Sequence, residues 1–191
     1  MADIIVTGHG ALSGRRLVRG GYVYAGVPFA APPVRGLRFQ PPKPAIPWTG
    51  VHSSEYSAQP LQTANFHDRV ALGSEDCLYL NIWTPDPGGN CPVVHWLFGG
   101  GCERGSASPP YSDGEELMRG ANVVVVTSNY RLGALGFLHL GQSAEERWKH
   151  AVSVGRLDQV AALDWIQNNI GLFGGDPRNI TVAGESAAPS R

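Results

Sequence analysis

Four runs, residues 77–83, 92–98, 122–129 and 179–183, read as strands and are largely apolar on both faces. Strands of that kind belong in the middle of a sheet covered by helices on either side. The last two runs flank the strongest helical pattern in the chain, residues 155–170. There Leu157, Val160, Leu163, Ile166 and Ile170 recur at intervals of three and four, while Asp164, Gln167 and Asn168 fall outside the stripe. Gly171, Gly174 and Gly175 stop this helix, and Pro177 prevents its restart. A short helix is expected over residues 113–119. Ser143-Ala144-Glu145-Glu146 has capping-box spacing and predicts a turn or two of helix after it. Strand, helix, strand alternation implies an α/β fold with a mostly parallel sheet and flanking helices. No internal repeat or low-complexity segment divides residues 1–191, which read as one domain.

The first 60 residues have a different texture. Residues 6–18 read as a hairpin with Gly8, Gly10 and Gly14 near its turn, and residues 22–27 as another strand. Seven prolines between Pro28 and Pro47 then keep the chain extended. A proline-rich linker is the alternative, but Phe29, Leu37, Phe39 and Trp48 are interleaved and want burial, which favours a coil wrapped on the domain.

Charge excludes several functions. With 16 acidic and 15 basic residues the net charge is −1, without the basic excess of a nucleic-acid-binding surface. The longest strongly apolar run, Val123-Val124-Val125-Val126, is far short of the roughly 20 residues of a membrane helix, so no membrane partner is expected. The start, Met1-Ala2-Asp3-Ile4-Ile5, lacks a basic segment followed by an apolar one, and a cytoplasmic location is expected. Cys77, Cys91 and Cys102 are odd in number and form no zinc-binding pattern, and a disulfide framework is not expected.

Two stretches carry the chemistry. The last strand runs into Gly184-Glu185-Ser186-Ala187-Ala188, a serine among small residues at a strand's exit. That is the arrangement of the nucleophile elbow, where a tight strained turn exposes the hydroxyl and small neighbours avoid collision. Ala188 stands where the usual pattern has glycine, and an ordinary left-handed turn with a solvent-facing serine is the competing reading. Upstream, Phe98-Gly99-Gly100-Gly101-Cys102 follows directly on an apolar strand. Consecutive glycines leave backbone N–H groups unshielded, as an oxyanion-binding loop requires, whereas a lone glycine triplet is more often a flexible turn. Both features follow strands and stand in the order an acyl-transfer site needs.

At this point the sequence resembles the type-B carboxylesterases, which include cholinesterases and bacterial para-nitrobenzyl esterases, over nearly the whole chain. Ser74-Glu75-Asp76-Cys77-Leu78-Tyr79-Leu80-Asn81 matches that family's EDCLYLN signature. Gly26-Val27-Pro28-Phe29-Ala30 with Leu37-Arg38-Phe39 resembles its amino-terminal pattern. Asn129-Tyr130-Arg131-Leu132-Gly133, residues 155–159 and Phe173-Gly174-Gly175-Asp176-Pro177 follow in family order. The resemblance implies the amino-terminal portion of an α/β-hydrolase fold, ending just after the elbow. It implies a serine carboxylic-ester hydrolase acting on a small-molecule ester through an acyl-enzyme, with Ser186 as nucleophile and the N–H groups of Gly100, Gly101 and Ala187 as oxyanion hole. Glu185, Phe98 and Cys102 would line the site, and the resemblance implies no cofactor or metal. Arg38 with Glu75, and Arg131 with Asp158, would be structural ion pairs.

The chain departs from the family in several places. Phe98 stands where histidine usually helps to hold the glycine loop, and Cys102 replaces an aromatic residue. Cys77 lacks the upstream cysteine that partners it in many secreted members and is expected to be a buried thiol. In α/β hydrolases the acid and the histidine follow the serine in chain order, and the matching part of this sequence stops soon after Ser186. His95 is expected in the core, and His139 and His150 at the surface. The alternatives to a hydrolase are an inert fragment and a non-catalytic binding module on the same fold. The strand ending at Ala183 is expected to leave one sheet edge open, inviting self-association; size-exclusion chromatography checks this, and a monodisperse monomer with a cooperative melt would count against it.

Overall fold

The computed structural model describes residues 3–64, 71–141 and 145–186. In chain order the strands are β1 (Asp3–Val6), β2 (Ala11–Arg16), β3 (Tyr22–Pro28), β4 (Val51–His52), β5 (Gln62–Thr63), β6 (Ala71–Leu72), β7 (Tyr79–Thr84), β8 (Cys91–Leu97), β9 (Val124–Ser128) and β10 (Gly175–Gly184). The helices are α1 (Glu115–Ala121), α2 (Gly133–Phe137) and α3 (Val154–Asn169), with 3₁₀ turns at Arg35–Leu37, Glu146–Trp148 and Ile170–Phe173. Ser143 and Ala144 of the capping-box match lie outside the described residues.

One sheet carries the domain in the order β1-β2-β3-β7-β9-β8-β10, with β4 beside β2. It is built in two ways. From β1 to β9 every neighbouring pair on this path is antiparallel: hairpin-length turns join β1 to β2 and β2 to β3, while β3 meets β7, and β7 meets β9, across long stretches of chain. β8 then lies parallel to β9 and to β10, and here helical crossovers supply the parallel part expected from the alternation. β10 forms the end of the path, and Val182 on it is 47% exposed.

Helices cover both faces. On one, Ala162, Trp165, Ile166, Ile170 and Phe173 pack on Tyr24, Val27, Leu80, Ile82, Val93, Val124 and Val126 in the main core. On the other, Met118 of α1 packs with Leu17, Val23, Ala25, Trp83 and Val125. α1 begins two residues later than expected, with Gly114 as its N-cap, and Asp113 accepts from the Glu115 N–H at 2.9 Å in the turn that precedes it. The proline-rich segment wraps the sheet: Phe29 is buried, and Trp48 donates to the Ala11 carbonyl at 3.0 Å.

The stripe expected on α3 holds at its end, where Ile166 and Ile170 are buried and Asp164, Gln167 and Asn168 exposed, and is displaced in its first turns. Its buried face is Val154, Gly155, Asp158, Gln159, Ala162, Trp165 and Ile166, whereas Leu157 is 37% and Val160 55% exposed. The cause is Asp158. This fully buried carboxylate takes the position an apolar residue would otherwise hold, because Arg131 meets it there with Nη2 at 2.7 Å and Nε at 2.8 Å. The Arg131 backbone N–H adds a third bond at 3.0 Å. Burial pushes the Asp158 carboxyl up and the bonds from Arg131 oppose that shift.

Candidate active site

β8 delivers the glycine loop and β10 delivers the serine. They pair in parallel register, with Ala183 opposite Trp96 and Gly184 opposite Leu97. Parallel strands carry their following loops to the same edge of the sheet, so the two motifs emerge side by side. Ser186 is exposed and has φ of +55°. A non-glycine residue rarely adopts that conformation, and the strain fits a tight elbow.

Gly99 touches the elbow. A Cβ built on it would lie 2.7 Å from the Glu185 carbonyl oxygen and 3.2 Å from Ser186 Cβ. Gly100, at φ +118°, passes so close to Arg104 that a Cβ would meet its carbonyl oxygen at 2.2 Å. Gly101, at φ +66°, faces open space, with nothing within 4 Å of such a Cβ. Among the described residues, neither the Gly100 nor the Gly101 N–H bonds a backbone carbonyl. The Gly100 carbonyl instead accepts from the N–H groups of Glu103 at 3.1 Å and Arg104 at 3.2 Å, which closes the turn.

The other residues named from the sequence are placed as follows. Ala187 lies outside the described residues. Glu185 is exposed beside Ser186, with its backbone against Gly99. Phe98, expected to line the site, is buried beneath the loop. Its ring stacks on Tyr130 at 4.5 Å and 14°, within a cluster that includes Ala107 and Leu132, because an apolar ring finds its partners in the core. Cys102, half-buried at φ +59°, accepts the Gly133 N–H at 2.7 Å through its carbonyl. Arg38 and Glu75 form a two-pronged pair at 2.6 Å, partly exposed, while the Arg131–Asp158 pair is buried. Cys77 is buried and its thiol pushed up by desolvation, which leaves it inert. The contacts of Gly99 and Tyr130 escaped sequence reasoning. The only hint was that Phe98, with no side-chain hydrogen bond to offer, needed another way to hold the loop.

No described histidine hydrogen-bonds Ser186. His67 lies outside the described residues, and His52, His139 and His150 are exposed. His95 is buried, its Nε2 is 2.8 Å from Ser128 Oγ, and desolvation holds its pKa down to about 4. A folded-state value below the unfolded one means that the unfolded chain binds the proton first. Stability is therefore kept above about pH 6.5 and falls by up to about 1.4 kcal/mol per unit as the pH drops toward 4. Urea unfolding between pH 7 and 4.5 is expected to show this slope and His95→Gln to flatten it; equal slopes would remove His95 as the cause.

The described residues contain no cluster of three or more metal-ligating side chains and no helix long and apolar enough to cross a membrane. Cavities of about 340 Å³, near Phe29 and Trp165, and about 490 Å³, near Glu55 and Asp76, do not include Ser186.

A family model described as the carboxylesterase family matches residues 2–188. The para-nitrobenzyl esterase of Bacillus subtilis is 42% identical over 97% of this chain and 38% of its own length. The fumonisin B1 esterase of Sphingopyxis macrogoltabida is 47% identical over 87% of this chain and 32% of its own. Among solved structures, a carboxylesterase from Geobacillus stearothermophilus superposes with a TM-score of 0.88 at 44% identity, covering 96% of this chain and 38% of that one. A thermophilic para-nitrobenzyl esterase gives 0.89 at 39% identity, covering 98% and 39%. The chain thus spans 32–39% of the length of these relatives.

Proposed function

Because this chain belongs to the carboxylesterase family, we propose that it supplies the nucleophile and oxyanion side of a serine carboxylic-ester hydrolase. Ser186 attacks the ester carbonyl, the alcohol leaves, and water releases the acid from the acyl-serine. The Gly100 and Gly101 N–H groups, with that of Ala187, receive the charge developing on the carbonyl oxygen; each such donor is worth about 10² to 10³ in rate. The observation that carries this reading is the seat of Gly99 against a serine held at positive φ. The matched proteins named as esterases support an ester as substrate.

None of the described residues hydrogen-bonds the Ser186 hydroxyl, so no base or orienting acid is assigned among them. Without a base, such a site keeps only about 10³ to 10⁴ over water. The three cysteines, unbridged in the structure, fit a reducing compartment, and we place the protein in the cytoplasm on that ground.

A fluorophosphonate probe, with p-nitrophenyl acetate hydrolysis followed in the same samples, tests the reading. Labelling and turnover lost together in Ser186→Ala, at an unchanged melting temperature, would identify Ser186 as the nucleophile and show that a base is supplied to it. A folded wild type that neither labels nor turns over would favour the inert reading of this chain, and labelling that survives in the alanine variant would move the nucleophile elsewhere.

A further inference from the structure

The segment from Tyr130 to Gly133 touches the glycine loop at both ends. At the entry, the Tyr130 hydroxyl donates to the Phe98 carbonyl at 2.7 Å while its ring stacks on the Phe98 ring. Gly105 shuts the opposite side, where a Cβ would lie 2.3 Å from Phe98 Cδ2. At the exit, the Gly133 N–H donates to the Cys102 carbonyl at 2.7 Å. The segment itself is fixed to α3 through Arg131 and Asp158, and Arg131 Nη1 reaches the Gln40 carbonyl at 2.8 Å. Tyr130 is fully buried, and that burial raises its phenol, which stays a proton donor throughout the neutral range.

We propose that residues 130–133 are a clamp that positions the oxyanion loop against the Ser186 elbow, with the Tyr130 hydroxyl as its positioning group. Phe98 offers the loop a ring and a carbonyl and no side-chain hydrogen bond of its own. The ring alone leaves the following peptide free to rotate; the hydroxyl on the Phe98 carbonyl fixes the plane from which Gly99 and Gly100 depart. Gly99 then meets Glu185 and Ser186 at contact distance, so a rotation at Phe98 is passed directly to the distance between the loop N–H groups and the serine. The catalytic consequence rests on the hydrolase reading above, whereas the order of the loop does not.

Tyr130→Phe keeps the ring and removes the hydroxyl. Amide hydrogen exchange is read at Glu103, Arg104 and Gly133, whose N–H groups bond loop carbonyls, with the amides of α3 as the control for global unfolding. The loop amides are expected to exchange roughly tenfold faster, the scale of one lost hydrogen bond, with α3 unchanged. Loop exchange at the wild-type rate overturns the clamp. If α3 also loosens, Phe98→Leu, which keeps the hydroxyl bond and removes the stack, decides: loop exchange near wild type supports the hydroxyl as the holding group, and exchange as fast as in Tyr130→Phe overturns it. Fluorophosphonate labelling gives a second arm, expected to slow several-fold in Tyr130→Phe at unchanged half-saturation. A wild type that does not label counts against the hydrolase reading alone, and the exchange result still decides the clamp.

Discussion

Asp158→Ala is expected to cost about 3–5 kcal/mol, the scale for removing one partner of a buried ion pair. Domains of this kind are stable by only about 5–15 kcal/mol, so the variant should lose much of its cooperative melt. The magnitude comes from what is left behind. Arg131 is 3% exposed and would keep its charge with the Gln40 carbonyl as its remaining bond, while its backbone N–H and two guanidinium nitrogens lose their acceptors. Asp158→Asn fills the same volume and can still accept one of these bonds, so it should fall between alanine and wild type. Replacing both partners by apolar residues of similar size should recover part of the loss, because no unpaired charge then stays buried. Arg38→Ala at the partly exposed pair is the control and should shift the midpoint far less. Denaturant unfolding checks the series; an Asp158→Ala midpoint close to wild type would mean that water reaches Arg131 and that the pair is not an anchor.

Gly99→Ala should separate activity from stability. The added methyl would sit 2.7 Å from a backbone oxygen of Glu185, an atom that cannot swing aside as a side chain can. Either β10's exit or the glycine loop must move by several tenths of an ångström, and both carry the reacting groups. Displacements of about 1 Å at a catalytic centre can cost about 10² in rate. The expected result is a fluorophosphonate labelling rate down by about that factor, with a melting temperature lowered only slightly, since Gly99 is half-buried at the sheet's rim. Gly101→Ala, which meets nothing, should leave the fold unchanged and exert its effect only through its left-handed φ. Labelling of Gly99→Ala at the wild-type rate would show that loop and elbow are not in the contact described.

Much of this arrangement could be read from the chain because the residues that make it are local. The valine run of β9 and the apolar run of β8 announce buried strands, and three glycines at one strand's exit with a serine among small residues at another's announce loop and elbow. What escaped is what depends on partners distant in sequence. The first turns of α3 bury Asp158, a residue that periodicity alone assigns to solvent; the family resemblance named its pair with Arg131, but the helix stripe drawn from apolar residues did not include it. Strand β10 begins at Gly175, ahead of Pro177, because at the end of a sheet a proline without an N–H costs little. The antiparallel half of the sheet was hidden because β3 reaches β7 across the proline-rich segment, whose length sets no direction. Tyr130 lies within a legible motif, but only the stacked Phe98 ring reveals what its hydroxyl holds.

The pairing of β10 with β8 has a kinetic consequence. Cys91 meets Gly175 and Leu97 meets Gly184 only after the intervening chain, with α1, β9, α2 and α3, has found its place. Closing so long a loop into a parallel register is slow compared with forming a hairpin such as β1–β2. The glycine loop and the serine therefore become neighbours late, after most of the core is built. Reactivity toward an acylating probe should appear only with the last refolding step that completes the β8–β10 pairing, later than the burial of the core.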